Sequence, residues 1–405
     1  MRKNFLIFAL AAVLAPAALF AQPQRQMMPQ MPEANYQFTV IKENPITSIK
    51  NQASSSTCWC FSAIAFIESE IIRIKGIKDA ADYPDLSEMF VVSQSYKDRA
   101  EKYIRLDGDL RFGPGSEADD VLHVIQDYGI VPQEVMPGKQ ASPAHSEIDA
   151  VTKSYVETIV QRSRGSVSKT WKAGFDAMVD AFFGTAPETF EYKGKTYTPA
   201  SYRDALGIVP SDYVSLTSFT HHPFYTKFTL EIGDNWRGDS SYNLPLDEFM
   251  GALKSAIEKG YTVAWGSDVS ETGFSRTGIG VLVEPAAARP AAGSDQARWV
   301  GADPNQPQAQ KPSNELPKEI VPTQEWRQEG YDYKTTTDDH GMQIFGMAKD
   351  QNGTLYYMVK NSWGETGKYK GIWYVSENFV AGKSMDIVLH KDALSKDLKK
   401  KLGIN

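Results

Sequence analysis

Several features that would point to other classes of protein are scarce in this sequence. Only two cysteines, Cys58 and Cys60, occur in 405 residues, which excludes a disulfide framework. Basic residues number 43 against 50 acidic ones, and this balance opposes non-specific binding to nucleic acids and anionic membranes. No fixed-period repeat occurs. Apolar residues make up 41% of the chain, which is enough for a large core in one elaborated domain or two.

The apolar run at residues 5–20 is short for a membrane span. Arg2 and Lys3 precede it and Ala21-Gln22 follows it, an arrangement typical of a secretory signal peptide. We therefore expect residues 1–21 to direct export to the periplasm or the exterior. No cysteine follows the run, which excludes a bacterial lipid anchor. Loss of the two basic residues would take the net charge from −7 to about −9.

A polar run of small residues gives way to an apolar-periodic segment at Cys58. The apolar side chains after it recur at spacings of three and four and are Phe61, Ile64, Ile67, Ile71 and Ile74. This spacing predicts an amphipathic helix buried on one face, and Gly76 is a plausible stop. In the first turn, free N–H groups and the helix dipole would stabilise a Cys58 thiolate and lower its pKa. Cys60, about 200° further round the helix, should point into the core.

A nucleophilic thiolate needs a base, an oxyanion donor and a group that orients the base. Gln52, six residues before Cys58, can return its side-chain amide towards the cysteine. His340 and Asn361 lie far downstream, in the segments 338–342 and 359–364. Taken singly, these residues would be a buried thiol, a core histidine and an ordinary turn. No packing rule links all of them, so their conjunction favours catalysis.

Three motifs occur in a fixed order: Gln-x5-Cys-Trp-x-Phe-Ser, Asp-His-x-Met and Lys-Asn-Ser-Trp-Gly. This order resembles the papain-type cysteine peptidases, and it is most similar to their bleomycin hydrolase/aminopeptidase C branch. The resemblance implies an α+β fold. A helical half would carry Cys58, an antiparallel sheet or half-barrel would carry His340 and Asn361, and the cleft would lie between the two halves.

The resemblance also implies a Cys58–His340–Asn361 triad that needs no metal and no organic cofactor. The backbone N–H of Cys58 and the side chain of Gln52 would stabilise the oxyanion. Asn361 is expected to accept the Nδ1 proton of His340 and hold the ring towards Cys58. Supporting roles are expected for Trp59, Asp339 and Trp363. Of these, Trp363 is expected to shield the His340–Asn361 bond from water.

Two segments depart from the family pattern. A glycine turn in papain-like enzymes exposes backbone N–H and C=O groups to the extended substrate, and relatives usually have Gly-Gly there. This chain has Gly115-Ser116, which we expect to bind substrate in the same way. Before the nucleophile, the papain signature has Cys-Gly-Ser, whereas this chain has Ser55-Ser56-Thr57. Ser56 must therefore tolerate a tight backbone where glycine is usual.

Cys58 and His340 lie 282 positions apart, against roughly 130–150 in papain types, so an insertion separates the two halves. Strands are predicted at 342–347, 355–359 and 371–375. Residues 285–322 are rich in Ala, Pro and Gln and are predicted to form a surface segment without a packed core. The predicted layout is a signal peptide (1–21), a flexible leader (22–45), a helical half with the nucleophile (46–140), an inserted helical or mixed region (141–260), a β half (261–395) and a C-terminal tail (396–405).

The predicted function is that of an exported cysteine peptidase that hydrolyses oligopeptides through an acyl-thioester, as in aminopeptidase C. The Pro- and Ala-rich terminal extension of the relatives does not follow Gly403-Ile404-Asn405, so an open cleft with internal or dipeptide-releasing cleavage is an alternative. A second alternative is a papain-fold binding protein without activity. A third alternative is a metal site formed by Cys58, Cys60 and a histidine. Peptides are the expected partners, with no nucleic acid and no stable membrane insertion, and a homo-oligomer is compatible with the sequence.

Overall fold

The computed structural model describes residues 34–138, 145–163, 165–284 and 316–404. The predicted signal peptide, the start of the predicted leader and most of the 285–322 segment lie outside these ranges. The helices are α1 (Cys58–Lys75), α2 (Glu88–Arg105), α3 (Ala118–Tyr128), α4 (Ser146–Arg162), α5 (Trp171–Phe183), α6 (Pro199–Leu206), α7 (Leu246–Glu258), α8 (Gln324–Asp332), α9 (Glu377–Lys383) and α10 (Lys396–Leu402). In the described part of the chain, no helix is long and apolar enough to cross a membrane.

The strands form one large mixed sheet and a separate hairpin. They are β1 (Thr39–Glu43), β2 (Phe190–Tyr192), β3 (Lys195–Tyr197), β4 (Tyr213–Thr217), β5 (Lys227–Thr229), β6 (Ser240–Asn243), β7 (Val263–Ser267), β8 (Phe274–Ser275), β9 (Ile279–Gly280), β10 (His340–Lys349), β11 (Leu355–Lys360), β12 (Ile372–Ser376) and β13 (Ser384–His390). The order in the large sheet is β5-β6-β4-β13-β7-β10-β11-β12-β9-β8, β1 also pairs with β10, and β2 pairs with β3. Only the β4–β6 and β9–β12 pairs of these are parallel.

Helix α1 is the central element of the helical half. It begins at Cys58 and ends at Gly76, whose φ of +62° gives the predicted left-handed stop. The prediction of a single buried face is wrong, because every residue from Trp59 to Ile72 is buried. Helices α2 and α3 pack against α1, and β7 and β10 pack against it as well. Ile74, predicted to be inside, is 39% exposed.

Strand β10 approaches α1 closely at the point where His340 enters the sheet. A Cβ on Gly341 would lie 2.8 Å from Ser62 Oγ and 3.2 Å from Trp59 Cα, so the absence of a side chain lets the strand approach the first turn of the helix. About two turns further along α1, the amide of Gln343 donates to Ser69 Oγ at 2.8 Å. These contacts fix the start of β10 against the start of α1.

Two boundaries of the predicted layout are wrong. Residues 34–45 of the predicted flexible leader are ordered: β1 pairs with β10, and Tyr36 is only 6% exposed in an aromatic cluster with Phe38 and Tyr356. The predicted insertion extends too far, because β4 pairs with β13 and α7 packs on the same sheet. Residues 213–258 therefore belong to the β half, and the helical addition is carried by α4–α6.

Candidate active site

A cavity of about 720 Å³ opens between the start of α1 and the edge of the sheet where β10 begins. It brings together most of the residues that the sequence singled out. Those that line it are Gln52, Cys58, Trp59, Gly115, Ser116, Asp339, His340 and Trp363. Asn361 is the exception, because it follows β11 and lies behind His340 rather than in the cavity wall.

Cys58 lies where α1 meets β10. The backbone N–H groups of Gly341 and Trp59 act on its sulfur and lower the pKa of the thiol. Gly341 directly follows His340, and Cys58 and His340 line the same cavity. Cys60 is fully buried and its thiol donates to the Glu88 carbonyl oxygen at 3.5 Å. The two cysteines therefore face different surroundings, with Cys58 alone partly accessible from the cavity.

The His340 ring is oriented by Asn361, but through the other ring nitrogen from the one predicted. Nε2, not Nδ1, lies 2.8 Å from Asn361 Oδ1. The same oxygen accepts the backbone N–H of Ser362 at 2.7 Å, so the atom facing the ring is an acceptor and Nε2 must carry the proton. The neutral ring then has its lone pair on Nδ1, which is the nitrogen left to take the thiol proton.

Burial disfavours the charge on each partner considered alone. It raises the pKa of the Cys58 thiol to about 12, with help from the negative charge of Asp338, and it lowers the pKa of His340. The N–H of Trp59 in the first turn of α1 lowers the Cys58 pKa as expected, but desolvation outweighs that effect. Proton transfer from sulfur to imidazole leaves the pair neutral as a whole and creates two adjacent opposite charges. A reactive thiolate here depends on His340.

Ser362 holds the side chain of Gln52, the predicted oxyanion donor, in a contact that the sequence did not reveal. The Ser362 hydroxyl donates to Gln52 Oε1 at 2.5 Å, and the Gln52 backbone N–H donates to the Ser362 carbonyl at 2.8 Å. With Oε1 held, the Nε2 amine of Gln52 is the end of the side chain left for substrate. The Lys-Asn-Ser-Trp-Gly motif therefore holds both the base-orienting residue and the support of the oxyanion donor.

The loop before Cys58 is as tight as the missing glycine suggested. Ser56 has φ of +55° and Ala53 has φ of +49°, in the left-handed region that costs non-glycine residues about 1–2 kcal/mol. The loop is held by hydrogen bonds of its own, including one between the hydroxyls of Ser55 and Thr57 at 2.6 Å. Its strain is stored next to the predicted oxyanion hole.

The glycine turn is supported from inside the protein. The buried guanidinium of Arg99 donates to the carbonyls of Gly113 and Gly115, and Trp59 Nε1 donates to the Pro114 carbonyl at 2.9 Å. These carbonyls therefore face the protein, contrary to the expectation that the turn offers its C=O groups at Gly115. Within the turn, the Ser116 carbonyl oxygen accepts no hydrogen bond from the residues that the structure describes. The Ser116 hydroxyl donates to Asp120 Oδ2 at 2.8 Å.

The other predicted supporting residues hold the surroundings of His340. The Trp363 ring lies 4.7 Å from the imidazole, centroid to centroid, and covers it. Asp339 accepts the backbone N–H groups of Val269 and Ser270 at 2.8 and 3.1 Å, and its charge favours protonated His340. Together they fix the position of the loop that leads into β10.

Comparison with known proteins identifies the family and the fold. The profile of the Peptidase C1-like family matches residues 114–282 and 321–404. Aminopeptidase C from Lactococcus lactis subsp. lactis is 22% identical over 416 residues, which cover 91% of this chain and 84% of that protein. Aminopeptidase G from Lactobacillus delbrueckii subsp. lactis is 23% identical over 401 residues, covering 88% and 83%. The crystal structure of pepW from Lactobacillus rhamnosis has a similar fold, with a TM-score of 0.65, 21% identity and coverage of 90% and 84%.

The fold and the family match define a papain-like cysteine peptidase. The matched residues make up more than half of the chain, and the protein belongs to the Peptidase C1-like family. The predicted α+β papain-like fold, the enzyme class and the resemblance to the aminopeptidase C branch are thereby confirmed.

Proposed function

We propose that this protein hydrolyses oligopeptides with Cys58 as nucleophile, His340 as acid and base and Asn361 as the orienting residue. One observation carries the proposal: Cys58 and His340 line one cavity, and the His340 Nε2 is held by Asn361 Oδ1 at 2.8 Å behind it. This arrangement leaves Nδ1 as the ring nitrogen available to the sulfur. Peptides are the proposed substrates and no cofactor takes part.

In the first half of the reaction, the Cys58 thiol passes its proton to His340 Nδ1 and the sulfur attacks the scissile carbonyl carbon. The carbonyl oxygen becomes an oxyanion, which the Cys58 backbone N–H and Gln52 Nε2 stabilise. Loss of one such donor typically costs about 3–4 kcal/mol of transition-state stabilisation. The imidazolium then protonates the leaving amine, the C–N bond breaks, and a thioester remains on the sulfur.

In the second half, His340 removes a proton from water and the resulting hydroxide attacks the thioester carbonyl. Gln52 and the Cys58 N–H stabilise the second oxyanion. The C–S bond breaks, the sulfur takes back the proton from the imidazolium, and the acid product leaves. Asn361 keeps Nε2 protonated throughout, so that Nδ1 remains the exchanging nitrogen.

The relatives are named aminopeptidases, and this supports the removal of residues from a free N-terminus. The test compares a peptide that has a free N-terminus with its N-acetylated twin, with cut positions read by mass spectrometry. Release of single residues from the free peptide alone supports an aminopeptidase. Cleavage inside the acetylated peptide would instead establish an endopeptidase with an open cleft, the alternative left by the sequence.

The nucleophile is tested separately with an epoxide inhibitor that alkylates active-site cysteines. We expect labelling and hydrolysis in the wild type, loss of both in Cys58→Ala, and retention of both in Cys60→Ala. Labelling of the Cys58→Ala variant would show that another group is the nucleophile. A folded wild type that neither hydrolyses peptides nor accepts the label would support the binding-protein alternative.

Export rests on the sequence of residues 1–21, and we propose that they direct the chain out of the cytoplasm. The basic start, the short apolar run and the small residue at the expected cleavage point support it. The test is fractionation of the natural host followed by mass analysis of the purified protein. A chain recovered outside the cytoplasm with an N-terminus near Gln22 supports export, and an uncleaved cytoplasmic chain contradicts it.

A further inference from the structure

The wall of the active-site cavity carries more carboxyl groups than the peptidase reaction uses. Besides Asp339, which supports the loop before β10, the acidic residues that line it are Glu117, Asp234, Asp338 and Asp386. Asp234 forms an ion pair with Arg111 at 3.1 Å. The other three have no ion pair within the described ranges, and the mechanism gives them no role.

Asp386 supplies the clearest sign that this cluster faces a ligand. It lies on β13 and is only 5% exposed, with Oδ2 accepting the Ser215 hydroxyl at 2.9 Å. A Cβ on Gly266 would lie 2.6 Å from Oδ1, so this oxygen lies over a glycine of the cavity wall. Oδ1 accepts no hydrogen bond from the residues that the structure describes. A buried carboxylate oxygen that faces an open cavity without a partner has a strong requirement for a donor.

Glu117 and Asp338 form the other side of the cluster. Their carboxyl groups are close enough to interact, and burial together with the nearby Asp338 raises the pKa of Glu117. The Glu117 Oε1 atom is buried without a partner among the described residues. Burial, together with repulsion from Asp234 and Asp386, raises the pKa of Asp338 to about 7, and burial raises the pKa of Asp386 to about 6. Repulsion of this kind destabilises a fold, and such sites recur where a protein binds a charged partner.

The cluster is near the reacting atoms. Asp338 lies two residues before His340, and its charge acts on the Cys58 thiol. Glu117 directly follows the turn at Gly115-Ser116, which the resemblance to papain-like enzymes places against the extended substrate on the acyl side of the scissile bond. A group bound between Glu117, Asp338 and Asp386 would therefore belong to the part of the substrate that becomes the thioester.

We propose that Glu117, Asp338 and Asp386 form a subsite that binds a positively charged ammonium group of the substrate on the acyl side of the cleavage point. An ammonium group supplies three donors and neutralises the charge that the cluster concentrates. The ammonium can come from the N-terminal α-amino group or from a lysine side chain. This inference rests on the proposed peptidase function and adds to it the feature that selects the substrate.

The kinetic test uses four fluorogenic amides that differ only in their positive charges: those of norleucine, lysine, Nα-acetyl-norleucine and Nα-acetyl-lysine. In the wild type, we expect at least one singly charged member to have a kcat/KM about tenfold or more above that of uncharged acetyl-norleucine. A preference for norleucine assigns the subsite to the α-amino group. A preference for acetyl-lysine assigns it to the side chain. Equal kcat/KM for charged and uncharged amides would overturn the proposal.

The decisive variant is Glu117→Gln with Asp386→Asn, because both amides keep the shape of the side chains and remove the charge. It should abolish the preference by raising KM for the charged amides far more than for acetyl-norleucine, and it should raise the melting temperature because repulsion is relieved. The matched control is Glu365→Gln, which removes one negative charge from an exposed residue next to the motif at Trp363. An equal loss on all four substrates, or an equal effect in the control, would contradict the proposal.

Binding can be measured without turnover, which separates this proposal from the peptidase proposal. Calorimetry would compare norleucine amide, Nα-acetyl-lysine amide and uncharged Nα-acetyl-norleucine amide on the wild type and the double variant. Binding of a charged amide that the double variant loses supports the subsite even if no substrate is hydrolysed. Equal binding of all three, or binding that the variant retains, rejects the subsite even if Cys58 proves to be the nucleophile.

Discussion

The proposed catalytic roles fall on single residues whose hydrogen bonds can be tested one by one. Asn361 Oδ1 receives both His340 Nε2 and the Ser362 N–H, while its Nδ2 is buried without a partner among the described residues. The oxygen is thus the functional end of this side chain. Replacing Asn361 with alanine would remove this oxygen and free the His340 ring to rotate. It would open the core less than truncation of a larger side chain.

Asn361→Ala should lower kcat by about 10- to 100-fold, because general acid–base catalysis needs Nδ1 directed at the sulfur. KM should change much less, since Asn361 does not line the cavity. Steady-state kinetics on a free peptide check this. Activity equal to that of the wild type would show that another group orients His340.

Ser362→Ala should lower kcat by about fivefold to tenfold, because Gln52 loses the hydrogen bond that directs its amine. Gln52→Ala should cost about 100- to 1,000-fold, since an oxyanion donor is removed outright. The double variant should be no worse than Gln52→Ala, because the serine acts through the glutamine. Losses that multiply in the double variant would give Ser362 a separate role.

At the scale of the elements, activity depends on how closely β10 approaches α1. Gly341 is the residue that sets this distance, and it was not singled out in the Asp-His-x-Met motif. Gly341→Ala should destabilise the protein by about 1–3 kcal/mol and lower kcat, since the new methyl contacts the backbone of Trp59. Chemical denaturation and kinetics measure the two effects.

Gly251→Ala is the matched control for that substitution. Gly251 lies in α7, and a Cβ there would meet nothing within 4 Å. Alanine should therefore stabilise the helix by about 0.5–1 kcal/mol and leave kcat unchanged. Similar losses in both variants would mean that the Gly341 effect is not due to the contact between β10 and α1.

Local elements could be predicted from the sequence because their signals are local. The stop of α1 at Gly76 and the strands predicted at 342–347, 355–359 and 371–375 follow from nearest neighbours. The pairing of β13 with β4 and β7 joins residues more than a hundred positions apart. No local pattern shows that this pairing brings Asp386 to the cavity.

In the candidate site too, the sequence predicts the residues but not the contacts between them. The motif residues Gln52, Cys58, His340 and Asn361 could be named from the sequence, because their order is distinctive. The ring nitrogen that bonds Asn361 depends on the rotamer of His340, and the lock on Gln52 depends on a contact between residues 310 positions apart. Such details follow from tertiary packing rather than from spacing.

At the scale of the whole molecule, His145 links the helical addition to the oxyanion loop. Its backbone N–H donates to the Ser54 carbonyl at 3.3 Å, and its ring packs edge-on against Phe183. Burial lowers its pKa to about 4 from an ordinary value of 6.5. Between these values the unfolded chain binds the proton and the folded one does not, so stability falls as pH falls from about 6.5 to about 4.

The full loss from His145 would be about 3 kcal/mol. His145→Phe keeps the aromatic contact and removes the titrating group, so its unfolding free energy should fall less than that of the wild type over this pH range. Urea denaturation at a series of pH values gives both curves. Parallel curves would show that His145 is protonated in the folded protein without penalty.

The pH dependence of Cys58 alkylation tests the central claim, that a buried thiol becomes nucleophilic only through His340. Iodoacetamide rates would be measured from pH 4 to 10 in the Cys60→Ala background, so that Cys58 is the cysteine observed. The account predicts reaction well below pH 7 with His340 present. In His340→Ala the profile should move to or above the ordinary thiol pKa of about 8.5, because burial then acts unopposed. The same profile with and without His340 would contradict the account.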